Sequence, residues 1–211
     1  MIRNMIFDMG QVLIRWTPDD VLSPYALTQE QKELVMRELF RSVEWIQQDR
    51  GIITKEKVVE AVCARLPQTL HEVVSTVVLG WHQRYLEPMP GMAELVRELK
   101  GEGYRIFLLS NASLALRDYF DRIPGSECFE KLMVSAEEQL LKPQHEIYER
   151  LYEKFGLNPA ECFFIDDAPA NIEGAILTGM QGTVFTGDVE RLRRELNHAG
   201  IRCSCKEPVH F

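Results

Sequence analysis

The chain has 211 residues, 45% of them hydrophobic and 27% charged, which describes an ordinary globular protein with room for one sizeable core, or a core with a smaller inserted lobe. A net charge of −8 and the absence of a basic stripe exclude a nucleic-acid partner, and no uncharged apolar run is long enough to cross a bilayer. The five cysteines are odd in number and mostly scattered, as expected of free thiols in a reducing compartment.

Met1-Ile2-Arg3 leads straight into an apolar run with no separate signal region, so a cytoplasmic protein is expected. The run Asn4-Met5-Ile6-Phe7 ends in Asp8, with Gly10 two residues on. Met5, Ile6 and Phe7 read as a strand buried on both faces. Gly10 is expected to permit a sharp turn that leaves Asp8 at the strand's carboxyl end, where an open parallel sheet places its chemistry. Val12-Leu13-Ile14 is expected to continue extended. Thr17-Pro18 then reads as a helix opening, and the pattern stays helical to about residue 85. Thr28 with Gln31 makes a capping box for a helix through Phe40 and beyond, broken at Arg50-Gly51. Thr54 restarts a helix that Pro67 ends, and a third covers about 70–85.

Glu87-Pro88-Met89-Pro90-Gly91 reads as the return linker, because two prolines so close cannot sit inside a helix. Beyond it the pattern alternates: helix 92–100, strand 105–109 ending at Ser110-Asn111, helix about 113–122 and strand 131–134. A helix over about 144–155 follows, then strand 162–165 ending at Asp166-Asp167, helix about 170–178, strand 182–185 and a closing helix 188–198. Such repetition implies an α/β fold with a doubly wound, Rossmann-like parallel sheet of about five strands in order 3-2-1-4-5. The core would take residues 1–15 and 88–211, with an all-helical insert over 16–87 after the first strand. The tail from residue 202 reads as an ordinary surface terminus, in preference to a metal site built on Cys203, Cys205 and His210.

Four strand ends carry polar clusters: Asp8, Ser110-Asn111, Lys142-Pro143 shortly after the third strand, and Asp166-Asp167. In a doubly wound sheet these ends share one edge, so the residues converge. Singly, each has a plain structural reading as a loop or helix cap or a solvated lysine. Together they are the inventory for phosphoryl transfer: a nucleophile, donors for phosphate oxygens, and a cation against the charge that repels an incoming carboxylate. The adjacent acids invite a cation, and Mg²⁺ suits oxygen ligands.

The pattern Phe7-Asp8-x-Gly10-x-Val12, Leu109-Ser110-Asn111, Lys142-Pro143 and Phe164-Ile165-Asp166-Asp167 with Asn171 resembles the haloacid dehalogenase (HAD) superfamily of hydrolases. Its motifs lie in family order over essentially the whole chain, and the helical insert looks like the small cap of the first subclass. The chain resembles most the bacterial α-D-glucose-1-phosphate phosphatase-like branch, an impression strengthened by Asp49-Arg50-Gly51-Ile52-Ile53-Thr54. The resemblance implies that Asp8 attacks phosphorus to form an aspartyl-phosphate, that Ser110 and Asn111 hydrogen-bond the transferring group, and that Lys142 holds Asp8 and phosphate together. It also implies Mg²⁺ held by Asp8, the Gly10 carbonyl and Asp167, with Asp166 and Asn171 as ligand or support.

Two departures stand out. Gly10 occupies the position where most phosphatases of this superfamily carry a second Asp, the general acid and base, and Gln139 replaces a common glycine near Lys142. The expected function is a Mg²⁺-dependent phosphomonoesterase of a small phosphorylated metabolite such as glucose 1-phosphate, whose anomeric oxygen leaves readily without the missing acid. The alternatives are a phospho-metabolite sensor that has lost turnover, motivated by Gly10, and a phosphotransferase or mutase. Arg15 at the edge of the insert and Trp16, Trp45, Gln48, Trp81 and His82 within it are candidates for substrate contact, with the tryptophans read first as lobe core.

Overall fold

The strand that the sequence places first is buried along its whole length and becomes the middle of the sheet. In the computed structural model, which describes residues 1–204, β1 (Asn4–Phe7) is followed by β2 (Ile14–Arg15) and five helices. These are α1 (Pro18–Leu22), α2 (Gln29–Val35), α3 (Val43–Asp49), α4 (Lys55–Cys63) and α5 (His71–Gly80). The short β3 (Glu87–Pro88) leads to α6 (Met92–Gly101), β4 (Arg105–Ser110), α7 (Leu116–Tyr119), β5 (Phe129–Val134), α8 (Ser135–Glu138) and α9 (His145–Phe155). The chain closes with β6 (Cys162–Asp166), α10 (Pro169–Leu177), β7 (Gln181–Val184) and α11 (Val189–His198).

Five strands pair in parallel in the order β5-β4-β1-β6-β7, which is 3-2-1-4-5 once the short β2 and β3 are set aside. Alternation along β1 explains why both faces are covered: Met5 and Phe7 pack with Leu95, Leu116 and Leu192, while Ile6 packs with Tyr148, Leu151 and Ile172. A third apolar cluster lies within the helical segment and joins Val21, Leu39, Val58, Val62, Val74 and Val78. Antiparallel pairing of Ile14 with Pro88 and Arg15 with Glu87 draws the two ends of that segment together. Among the described residues no helix is long and apolar enough to cross a membrane. Cys63, Cys128 and Cys162 are free thiols; Cys205 and His210 lie outside the described residues.

Local chemistry explains the departures from the sequence reading. The turn after Asp8 does not need the glycine: the left-handed residue is Gln11, at φ 55°, and its Oε1 accepts the Trp16 N–H at 2.7 Å. Val12-Leu13-Ile14 is not a continuing strand, because the N–H groups of all three fold back onto the Met9 carbonyl and only Ile14 reaches β2. The helix capped by Thr28 stops short of Arg50, since the Ser42 hydroxyl accepts the Trp45 N–H and starts α3 afresh. Gln139 adopts the left-handed conformation, φ 58°, that glycine takes most easily. The one-turn α8 before it was not legible as a helix.

Candidate active site

The carboxyl ends of β1, β4 and β6 meet beneath the helical segment and border a cavity of about 270 Å³. From the sheet side it is lined by Asp8, Met9, Gly10, Ser110, Asn111, Ala112 and Asp167. The other wall is Trp16, Trp45, Gln48, Asp49 and Trp81, with Tyr119 from α7.

Asp8 is held where β1 ends, its backbone N–H donating to the Ile165 carbonyl at 2.9 Å. Its side chain is buried, and Oδ1 has the Lys142 ammonium at 2.9 Å as ion-pair partner but no aligned hydrogen bond. Burial pushes the Asp8 carboxyl up to about 6 and the charge of Asp166 adds to that, against the pull of Lys142. Lys142 does not line the cavity but lies behind it, donating to Asp166 Oδ2 at 2.6 Å and to the Leu109 carbonyl at 3.0 Å. Burial disfavours its charge, yet the two carboxylates outweigh that and hold the ammonium above the usual lysine value.

The two adjacent acids have divided their work. Both oxygens of Asp166 are spent: Oδ1 accepts from Ala168 N–H at 2.8 Å and Asn171 Nδ2 at 3.0 Å, and Oδ2 accepts from Lys142. Asp167 is exposed, lines the cavity, and is raised by partial burial and by the charge of Asp166. Asp8, Asp166 and Asp167 each offer an oxygen within 4.8 Å of the others, a hard donor set suited to Mg²⁺ or Ca²⁺ and unlike the nitrogen and sulfur sets of zinc.

Ser110 is buried at the cavity floor. Asn111 has a duty the sequence did not suggest: its Oδ1 accepts the Lys142 N–H at 2.8 Å and its Nδ2 donates to the Lys142 carbonyl at 3.0 Å. This reciprocal pair fixes the loop that carries the lysine. Of the insert residues singled out, Trp16, Trp45, Gln48 and Trp81 reach the cavity. Arg15 instead pairs with Glu87 at 3.0 Å on the surface, and His82 stacks on Tyr119 with ring centroids 4.5 Å apart. The tryptophans are wall and packing at once, with Trp16 6.0 Å from Trp45 and 5.9 Å from Trp81.

Asp49 and Tyr119 are cavity residues that sequence reasoning missed. Burial drives the Asp49 carboxyl up to about 8, while Trp45 and the Ser113 backbone N–H, which donate to it, pull the other way. Its only signal was the Asp49-Arg50-Gly51 stretch, which carries no periodicity to mark it as functional.

Residues 15–179 match the family described as haloacid dehalogenase-like hydrolase. The chain belongs to that family. Among curated relatives, a sesquiterpene phosphatase of Aspergillus oryzae is 28% identical over 86% of this chain and 88% of its own length. A flavin mononucleotide hydrolase of Arabidopsis thaliana is 29% identical over 55% of this chain and 47% of its own. The HAD fold is shared with a predicted HAD-like hydrolase of Porphyromonas gingivalis, at TM-score 0.70 and 21% identity over 93% of this chain and 98% of that one. A HAD family enzyme of Bacteroides thetaiotaomicron, solved with magnesium and inorganic phosphate, superposes at TM-score 0.65 with 23% identity, covering 91% of this chain and 99% of that one.

Proposed function

We propose that this HAD-like hydrolase is a Mg²⁺-dependent phosphomonoesterase that works through an aspartyl-phosphate on Asp8, with the helical segment 16–87 serving as its cap. The observation that carries the reading is Asp8 itself, a buried carboxylate beside one ammonium, open to a small cavity and flanked by further carboxylate oxygens. The phosphatase and phosphate-ester hydrolase names of relatives, and the magnesium and phosphate bound by the Bacteroides protein, support it.

Asp8, the Gly10 carbonyl and Asp167 would hold the metal, and the spent oxygens of Asp166 make it a support for Lys142 and Asn171. Bound there, Mg²⁺ supplies positive charge for phosphate oxygens. Lys142 keeps Asp8 ionised and neutralises part of the charge that meets the incoming phosphate. Ser110 and Asn111 line the cavity and would donate to the transferring group.

The cavity lies just below the ~300–1,000 Å³ usual for small-molecule sites, so the organic part is compact. Three tryptophans and a buried amide, Gln48, whose Oε1 has no hydrogen-bond partner among the described residues, suit a sugar ring: its C–H face would stack and one hydroxyl would donate to Gln48. A sugar phosphate is therefore the substrate class we favour. The three tryptophans of the wall also favour a second reading, a short apolar alcohol phosphate. Phosphate release from sugar phosphates and prenyl phosphates, with and without Mg²⁺, tests both for wild type and Asp8→Asn. Metal-dependent release that Asp8→Asn abolishes is expected. Phosphate-analogue binding without release from any substrate would favour a sensor, and transfer to an added sugar without free phosphate would favour a phosphotransferase.

A further inference from the structure

The nucleophile has no carboxyl neighbour at Gly10, yet cleaving an ester with a poor leaving group calls for a proton donor near the departing oxygen. The cavity wall opposite Asp8 contains one other acid, Asp49, at the end of α3. Its position is fixed from the sheet side. The Ser135 hydroxyl donates to the Asp49 carbonyl at 2.5 Å, and the Ser113 backbone N–H reaches its carboxyl. Two residues on, Gly51 at φ 76° lies so close to α8 that a Cβ there would come 2.1 Å from the Ala136 carbonyl oxygen. The turn is thus seated on the catalytic floor.

Resting on the phosphatase reading, we propose that Asp49, delivered by the helical lobe, is the general acid and base of the reaction at Asp8. In the first half-reaction an Asp8 oxygen bonds to phosphorus, the bond from phosphorus to the ester oxygen breaks, and the Asp49 proton passes to that oxygen to release the alcohol. In the second, the Asp49 carboxylate takes a proton from water as its oxygen bonds to phosphorus, the aspartyl–phosphorus bond breaks, and phosphate leaves.

The electrostatics suit those roles. Asp49 is pushed up to about 8 by burial and forms no ion pair among the described residues, so it carries its proton at neutral pH, whereas Asp8 with Lys142 beside it is ionised. Two acids in one cavity with environments that separate their protonation is the arrangement acid–base catalysis requires. The other ionisable groups around Asp49 are Asp167 and Tyr119 on the cavity wall, Arg50 next in the chain, and His82 stacked on Tyr119. Burial pushes the Tyr119 phenol up, which makes it a weaker acid than usual, and lowers the His82 imidazolium, which disfavours its extra proton, so neither competes with Asp49 as an acid.

The test compares kcat/KM for p-nitrophenyl, phenyl and benzyl phosphates with saturating Mg²⁺, in wild type, Asp49→Asn and Asp49→Glu. Expected is a loss of about 10²- to 10⁴-fold on benzyl phosphate in Asp49→Asn, and less than about tenfold on p-nitrophenyl phosphate, whose oxygen leaves unaided. Wild-type kcat/KM for benzyl phosphate should fall above about pH 8, and that limb should vanish in Asp49→Asn. Asp49→Glu, which keeps an acid, should retain the wild-type ratio between substrates. An equal loss on all three esters, or none, overturns the assignment while leaving the phosphatase reading intact. Absence of turnover in wild type, with Asp8→Asn indistinguishable from it, overturns both.

Discussion

Replacing Lys142 by methionine tests whether the site is held together by charge. The ammonium is buried with 1% of its side chain exposed, 2.9 Å from Asp8 and 2.6 Å from Asp166. At an effective dielectric of about 20, each contact supplies about 6 kcal/mol of attraction. Desolvation of the three ions offsets most of this, but removing the one cation leaves two buried carboxylates facing each other. Breaking a buried pair in this way costs about 3–5 kcal/mol, a large part of a domain's total stability. Urea unfolding of Lys142→Met at neutral pH in EDTA should show that loss. The double variant Lys142→Met/Asp166→Asn should recover a substantial part, because only Asp8 is then left unpaired. The pH dependence has a definite sign. The folded-state value of Asp8 is already raised to about 6 and rises further without Lys142, so the variant's stability is greatest in acid and is lost as pH climbs through that value. The deficit relative to wild type should therefore shrink at pH 5. A loss under 1 kcal/mol at neutral pH, or a double variant no better than the single, would refute the reasoning.

The division between the paired acids predicts that Asp167→Asn weakens Mg²⁺ binding to the free protein by about 10- to 100-fold in calorimetric titration, with little change in unfolding midpoint in EDTA. Gly51→Ala should destabilise the fold by about 2–4 kcal/mol in urea, because it combines a left-handed φ of 76° with a steric conflict at the Ala136 carbonyl. Gly103→Ala is the control: its φ is 91° but nothing lies within 4 Å of the added Cβ, so a cost of about 1 kcal/mol is expected.

How far the sequence carried depended on whether a residue's role was local. Strands and their order were legible because apolar runs such as Phe107-Leu108-Leu109 stop at polar pairs, and βαβ repetition leaves few topologies. The helix opening at Thr17-Pro18 and the capping box of Thr28 are likewise short-range chemistry, and both exist. The duty of Asn111 was not legible, because its partner is the backbone of a residue 31 positions away. Nor was the split between Asp166 and Asp167, which neighbouring identity cannot decide and four hydrogen bonds do. Gly10 misled for a related reason: glycine suggested a strained turn, while the strain fell on Gln11, whose side-chain acceptor holds the next segment.

On the proposed mechanism, the position of Asp49 also accounts for why the acid need not stand beside Asp8. Asp8, Asp166 and Asp167 already crowd three carboxylates around one buried ammonium. A fourth acid at residue 10 would join that cluster, where neither space nor φ forbids a side chain, but where Lys142 and a bound cation would draw off its proton. On the opposite wall the carboxyl meets tryptophan and backbone N–H groups instead of charges, and keeps its proton through burial alone. The arrangement ties chemistry to seating of the lobe. Because Ser135, Ser113 and the Gly51–Ala136 contact join the Asp49 turn to the sheet edge, any movement of the lobe that breaks them withdraws the proton donor and opens the cavity together. A loosened lobe would therefore cost turnover twice, because Asp49 is needed first as the acid for the ester oxygen and then as the base for water.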